Sequence, residues 1–140
     1  MRDLKDTVAW ITGAGTGIGE GAAVAMAREG AKVILTGRRL DPLEQVSKKI
    51  EDAGGFVEIA QGDAMDRPGM MALAKDIQNR YDKLDLLFNN HGINITNRNW
   101  GGGNLEGWDE VIDVNVKGAY NCALAALEVM RPQGEGTIIT

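Results

Sequence analysis

Short runs of apolar and β-branched residues alternate along this chain with longer stretches in which apolar residues recur at helical spacing. The short runs predict strands, and the longer stretches predict helices. The strands are expected over residues 8–12, 32–36, 56–60, 84–88 and 137–140, and the helices over 18–28, from Asp41-Pro42 to Gly54-Gly55, from Asp66 to about 81, and over 108–131. This alternation is typical of strands joined by helical crossovers.

Residues at the element ends support these bounds. Asp41 followed by Pro42 predicts a helix N-cap with proline at the first helical position. Gly30 is expected to close the first helix, and Pro132 with Gly134 the last one. Residues 89–107 are rich in asparagine and glycine and lack periodicity. They predict a long loop, and long loops are often functional.

The element order predicts an α/β fold: a Rossmann-like, doubly wound parallel sheet in three αβα layers. Residues 1–140 then form one nucleotide-binding domain. The fifth strand has only begun where the sequence stops at Thr140, so we expect the domain to be truncated there. Ligands of such sheets bind beyond the carboxyl ends of the strands, here after Thr12, Thr36, Ala60 and Phe88.

Composition narrows the choice of partners. A net charge of −5 argues against nucleic acid and against an anionic membrane surface. One cysteine and one histidine argue against a metal site. The first residues lack the apolar segment of a signal peptide, and we therefore expect a cytoplasmic protein. Only the 19 glycines are unusual, at about twice the average share.

Five of these glycines lie within nine residues, 13–21, where the first strand passes into the first helix. Glycine there lets backbone amides and a helix N-terminus approach a diphosphate, although a tight glycine-rich turn is the alternative. The common G-x-G-x-x-G spacing fails, because Ile18 or Glu20 occupies its last position. The spacing that fits is T-G-x-x-x-G-x-G, starting at Thr12.

At this point the chain resembles the short-chain dehydrogenase/reductase family. Asn89-Asn90-His91-Gly92 is similar to that family's N-N-A-G, and Gly62-Asp63-Ala64 to its adenine-contacting acid and neighbour. Residues 108–118 resemble the segment that leads to the active-site asparagine, here Asn115. The likeness extends in order over essentially all 140 residues.

The resemblance implies a set of cofactor-binding residues. They are Gly13, Thr16, Gly17, Ile18, Gly19, Arg38, Arg39, Asp63, Ala64, Asn90, His91 and Gly92. Asp63 would accept a hydrogen bond from the adenine amino group, or else cap a strand end. Asn115 would hold a relay water through its backbone, or else cap a local kink in the helix.

The segment after the second strand distinguishes NADP from NAD. An acid there would bind the ribose hydroxyls of NAD, whereas an arginine pairs with the 2′-phosphate of NADP. By resemblance Gly37 replaces the acid and Arg38 is the phosphate-binding residue, with Arg39 in support. The alternative is two ordinary solvated arginines. Some NADP-dependent relatives carry a basic residue just before Gly17, where this chain has Thr16. NADP is therefore the expected cofactor, with NAD as the alternative.

His91 stands where the family usually has alanine. Histidine titrates near neutrality, and a catalytic base is one interpretation. The stronger one is a side chain that projects from a cofactor-lining turn. If His91 titrates beside the dinucleotide, cofactor affinity should vary between about pH 5 and pH 8.

The resemblance implies hydride transfer between NADP(H) and an alcohol or carbonyl substrate. In the family the catalytic serine, tyrosine and lysine follow the fifth strand, and no Tyr-x-x-x-Lys occurs in these residues, since Asp85 and Leu124 stand four residues after the two tyrosines. We therefore expect an inactive cofactor-binding part of an oxidoreductase. The alternatives are a non-catalytic dinucleotide-binding module and, less well fitted, a nucleotide-sugar epimerase-like protein. Homo-oligomerisation of the full-length form through the last helix is expected, and Arg98 and Trp100 are candidate substrate contacts.

Overall fold

A computed structural model describes residues 3–96 and 104–140. The strands are β1 (Val8–Thr12), β2 (Lys32–Thr36), β3 (Phe56–Ile59), β4 (Leu86–Asn89) and β5 (Thr137–Ile139). The helices are α1 (Gly17–Arg28), α2 (Leu40–Asp52), α3 (Arg67–Tyr81), α4 (Leu105–Ile112) and α5 (Ala119–Gln133). A π-helical stretch, Asp113–Gly118, joins α4 to α5 and is called the π segment below.

The five strands form one parallel sheet in the order β3-β2-β1-β4-β5. Successive side chains of a strand point to opposite faces, and β1 divides its residues in this way. Trp10 packs in one core with residues of α3 and α5, whereas Ile11 packs in a second core with residues of α1 and α2. The sheet is therefore covered on both faces, and the predicted three-layer fold is confirmed.

The predicted start of α2 was wrong by two residues. The helix begins at Leu40 and its N-cap is Arg39, so Asp41 lies in the first turn rather than at the cap. Pro42 is the third helical residue instead of the first. A proline is tolerated there because the first N–H groups of a helix have no acceptor within it.

The predicted continuous helix over 108–131 is instead α4, the π segment and α5. Its start is earlier because the Asn104 side chain accepts a hydrogen bond from Gly107 N at 3.0 Å and caps α4. Its end is later, since α5 continues through Pro132 to Gln133. Gly134, with a left-handed φ of 82°, ends it as expected. No helix in the described ranges is long and apolar enough to span a membrane.

Candidate functional site

A cleft of about 250 Å³ opens at the carboxyl ends of β1, β2 and β4. Nine of the predicted site residues line it: Gly13, Thr16, Arg38, Arg39, Asp63, Ala64, Asn90, His91 and Gly92. Gly17, Ile18, Gly19 and Asn115 are not part of its lining. The parallel sheet thus brings residues from four separate sequence segments to one edge.

The loop between β1 and α1 is closed so tightly that only glycine fits at two positions. Gly13 has φ +61°, and a Cβ there would lie 2.7 Å from the Cα of His91. A Cβ on Gly19 would lie 2.3 Å from the carbonyl oxygen of Gly13. Gly19 is not part of the cleft lining, but its missing side chain allows α1 to pack closely against the loop that forms the cleft.

The N-terminus of α1 is open towards the loop. Thr16 is the N-cap, but its side chain makes no capping hydrogen bond. Gly17 begins the helix with φ +60°, and Ile18 in the first turn is 75% exposed. The first-turn acid, Glu20, is paired with Lys49 of α2 at 2.5 Å. The amides at this helix end are available to an anion.

Arg38 and Arg39 lie exposed between β2 and α2. Within residues 3–96 and 104–140, neither guanidinium has a carboxylate within ion-pair distance. The Gln61 side chain donates a hydrogen bond to the Arg38 carbonyl at 2.8 Å. The backbone that carries this positive charge is therefore tied to the segment after β3.

Asp63 lies in the turn between β3 and α3. Its Oδ1 accepts a hydrogen bond from Met65 N at 2.9 Å, and its carbonyl accepts one from Asp66 N at 2.9 Å. The Asp63 carboxylate thus organises a turn several residues beyond the end of β3, while Asp63 and Ala64 also line the cleft. The adenine contact stays a prediction.

The segment after β4 is bonded directly to the glycine loop. Thr12 Oγ1 accepts hydrogen bonds from the backbone N–H groups of Asn90 at 3.0 Å and His91 at 3.2 Å. The Asn90 side chain donates to the carbonyls of Thr12 at 3.3 Å and Gly13 at 3.1 Å. These bonds make the carboxyl ends of β1 and β4 one unit.

Asn115 is exposed and lies in the π segment. Its Oδ1 accepts from Ile93 N at 2.8 Å, and its Nδ2 donates to Ile93 O at 3.0 Å. The amide therefore pairs with the backbone of the loop after β4, as a neighbouring strand would. The side chain does not cap a kink in its own helix, although a local irregularity is present as the π segment.

His91 is half-buried, and its Nδ1 lies 2.9 Å from Thr12 Oγ1. Burial lowers the pKa of His91 below its usual value of 6.5, outweighing the Val114 carbonyl and the Asp63 carboxylate, which favour the charged ring. The ring fills space beside Gly118, where a Cβ would lie 2.6 Å from His91 Nε2. His91 therefore lines the cleft in its neutral form at pH 7.

Sequence reasoning missed half of the lining: Thr12, Gly15, Thr36, Gly37, Pro42, Leu43, Gly62, Ile93 and Val114. Most of them flank predicted site residues at strand ends, so the rule about carboxyl ends could have included them. Pro42 could not be found in that way. A Cβ on Gly15 would lie 2.9 Å from Pro42 Cβ, which shows that α2 closes on the loop.

Two further predictions cannot be placed. Arg98 and Trp100, the candidate substrate contacts, lie outside the described residues, as do Gly101, Gly102 and Gly103. Within the described part of the chain, no three histidine, cysteine, aspartate or glutamate side chains gather in a cluster that could hold a metal ion.

Comparison with known proteins gives a consistent result. The family model described as short chain dehydrogenase matches residues 7–140. An uncharacterized oxidoreductase of Staphylococcus aureus (strain N315) is 36% identical over 139 residues, which are 99% of this chain and 59% of that protein. The chain therefore spans less than two thirds of this curated relative's length.

Two solved structures superpose closely on this chain. A metagenomic short-chain oxidoreductase in complex with NADP has a TM-score of 0.89 and 31% identity, covering 98% of this chain and 62% of that one. A short-chain type dehydrogenase/reductase from Mycobacterium marinum has a TM-score of 0.92 and 33% identity, covering 99% and 56%.

Proposed function

The chain belongs to the short-chain dehydrogenase family, and on that premise we propose that its cleft binds a nicotinamide dinucleotide, NADP(H) in preference to NAD(H). The observation that carries this proposal is the cradle formed by Gly13 and Gly19. A Cβ at either position would lie within 3 Å of backbone atoms, so the loop keeps its shape only with glycine. The amides of that loop and the open end of α1 suit a diphosphate.

The remaining lining residues fit the rest of the cofactor. In this proposal Asp63 and Ala64 line the adenine end of the cofactor site. Asn90, His91 and Gly92 line its nicotinamide side. When bound, the nicotinamide ring supplies the hydride acceptor or donor. The chain's own residues bind and orient it, while Asn115 holds the loop at Ile93 beside the cleft.

The preference for NADP(H) rests on charge. Arg38 and Arg39 both line the cleft, and neither is neutralised by a carboxylate among the described residues. A guanidinium forms strong, charge-assisted hydrogen bonds with a phosphate. The neighbour solved with NADP has the same fold, with a TM-score of 0.89.

We further propose that the whole protein transfers hydride between NADP(H) and an alcohol or carbonyl substrate, and that these 140 residues bind the cofactor without turnover. The residue four positions after Tyr81 is Asp85, and four after Tyr120 it is Leu124, so neither tyrosine has a lysine at the family's spacing. Steady turnover of an alcohol or ketone by the 140-residue chain would contradict this. A non-catalytic dinucleotide-binding module is the second candidate, favoured by the same missing lysine.

Titration calorimetry with NADPH and NADH tests the cofactor proposal. The chain should bind NADPH more tightly than NADH. Arg38→Ala should lower NADPH affinity by about 10- to 150-fold, since a charge-assisted hydrogen bond contributes about 1.5–3 kcal/mol, and leave NADH affinity nearly unchanged. Arg39→Ala should act in the same direction with a smaller effect.

Arg131→Ala is the matched control, because Arg131 is an exposed arginine in the last turn of α5, far along the chain from the cleft segments. It should change neither affinity. Tighter binding of NADH by the unmodified chain, or an equal loss of both affinities in Arg38→Ala, would contradict the assignment of the 2′-phosphate to Arg38.

A further inference from the structure

His91 joins three segments that are distant in sequence. It follows β4, its Nδ1 contacts Thr12 at the end of β1, and its Nε2 lies against Gly118 at the end of the π segment. Nε2 is fully enclosed and has no hydrogen bond of normal geometry to any described residue. The ring is therefore packed between these segments, and its surroundings influence which protonation state is favoured.

The hydrogen bonds around Thr12 Oγ1 assign the tautomer. This oxygen already accepts two N–H donors, from Asn90 and His91, and a hydroxyl oxygen has two lone pairs. Its own proton can go to His91 Nδ1 at 2.9 Å or to Asn89 Oδ1 at 3.4 Å. Because the contact with His91 Nδ1 is shorter, the Thr12 hydroxyl donates to Nδ1. Nδ1 is therefore an acceptor, and the proton of the neutral ring is on Nε2.

The doubly protonated ring does not fit this arrangement. An Nδ1–H would be a third donor directed at the same Thr12 oxygen, and it would force the hydroxyl proton to the longer Asn89 contact. The enclosed Nε2 would meanwhile carry charge away from water. Protonation must therefore loosen the contact of His91 with Thr12.

We propose that neutral His91, protonated on Nε2, is a positioning residue that holds the glycine loop and the π segment in the arrangement that binds the dinucleotide. The proposal rests on the proposed function where it concerns the cofactor. His91 touches Thr12 next to Gly13, and it packs on the segment that carries Asn115. Dinucleotide affinity should therefore fall as His91 becomes protonated.

Few other groups among the described residues influence the protonation of His91. From the turn after β3, the Asp63 carboxylate favours the protonated ring, and from the π segment the Val114 carbonyl does the same. Cys122 of α5 is buried in the core, and burial raises its thiol pKa to about 12, so it stays neutral. The charges of the π segment, Asp113 and Lys117, pair with each other at 2.5 Å.

His91 is the only histidine of the chain, so its ring nitrogens can be read by NMR without assignment ambiguity. Long-range ¹H–¹⁵N spectra should show the Nε2–H tautomer at neutral pH and a titration midpoint below the ordinary histidine value of about 6.5. NADPH affinity, measured on the same samples, should decrease as the pH falls through that midpoint, by at most about tenfold per pH unit because one proton is involved.

Two variants separate positioning from simple packing. His91→Asn places an amide oxygen where it can accept from the Thr12 hydroxyl but cannot titrate. At neutral pH it should restore most of the affinity that His91→Ala loses, and it should lack the acid-side decrease. His91→Ala should bind about fivefold more weakly at neutral pH, as expected for one lost hydrogen bond, and should show no such decrease either.

A double-mutant cycle tests the contact with Gly118. Gly118→Ala should destabilise the chain, and His91→Ala should relieve most of that loss when the two are combined. An Nδ1–H tautomer, an affinity that is flat or rises while His91 titrates, or additive effects in the cycle would overturn the proposal. Failure to bind dinucleotide at any pH overturns the proposed function instead, while tautomer and cycle still decide the role of His91.

Discussion

Gly19 is the residue at which the cleft depends most directly on a missing side chain. It is buried in the first turn of α1, against the Gly13 carbonyl. We expect Gly19→Ala to destabilise the chain by about 2–3 kcal/mol and to abolish dinucleotide binding, because the new Cβ would meet backbone at 2.3 Å. Urea unfolding and calorimetric titration measure the two effects.

Gly21 provides the matched control for that substitution. It lies two residues further along α1, is exposed, and has nothing within 4 Å of an added Cβ. Gly21→Ala should stabilise the chain by about 0.5–1 kcal/mol through helix propensity and leave binding unchanged. Equal stabilities for the two variants would show that the loop can move away from α1.

At this scale the sequence predicted half of the residues that line the cleft, but not how they bond to one another. Glycine spacing and strand ends suffice to place Gly13 and Asn90 near a ligand. The pairing of Asn115 with Ile93 joins residues 22 positions apart through an exposed side chain, and nothing in local pattern or composition indicates it. Thr12 and His91 lie 79 positions apart in sequence, and their contact could not be predicted for the same reason.

At the scale of elements, the π segment is the largest departure from the predicted structure. Apolar spacing predicts a helix from 108 onwards and does not reveal the wide turn, because the apolar residues before and after it each keep helical spacing. The wide turn presents Asn115 to Ile93 and leaves Gly118 against His91. Such turns are frequent at functional sites, and here one serves two contacts of the cleft.

The edge strand β3 is fastened to α3 by charged and aromatic groups. Tyr81 donates a hydrogen bond to Glu58 at 2.5 Å, and Arg80 pairs with the same carboxylate. Burial would raise the pKa of Glu58, but the hydrogen bonds from Tyr81 and Arg80 lower it below 4.5. The pKa of Tyr81 is raised to about 12, first by burial and then by the Glu58 carboxylate.

This shift gives an alkaline prediction. The folded state favours protonated Tyr81, so its contribution to stability is complete below the unfolded pKa of about 10 and is lost as the pH rises towards about 12. Tyr81→Phe should be about 1 kcal/mol less stable at neutral pH and should lack that alkaline decrease. Unfolding free energies across this range measure both.

Tyr120→Phe controls for the loss of a phenol. Tyr120 is 57% exposed on α5, and its ring stacks under Arg67 rather than bonding to a carboxylate among the described residues. The alkaline decrease should persist in Tyr120→Phe. If it also persists in Tyr81→Phe, another group is responsible for it.

On the scale of the whole molecule, the parallel sheet covered by helices on both faces agrees with the three-layer fold that alternating strands and helices predict. Four large apolar side chains stay exposed along α4, the π segment and α5: Leu105 at 73%, Ile112 at 55%, Val116 at 58% and Tyr120 at 57%. Periodicity alone assigned this helical region an amphipathic character without showing which face stays uncovered.

We expect a second copy of the protein to cover this face, in line with the oligomer implied by the family resemblance. Ile112→Glu should then shift the chain towards monomer in sedimentation velocity, because a charge at a buried contact is unfavourable. Leu40→Glu, an equivalent change at a residue 40% exposed on α2, should leave the distribution unaltered. A monomer in every case would exclude self-association through this face.

The close fit between His91 and Gly118 also bears on how this site could have been reached by mutation. With any larger residue at 118, a Cβ would stand 2.6 Å from the imidazole, so the glycine has to be present before the histidine is accepted. Once the histidine is in place, position 118 can no longer change alone. The order of the two changes is therefore fixed, because His91 is tolerated only where position 118 is already glycine.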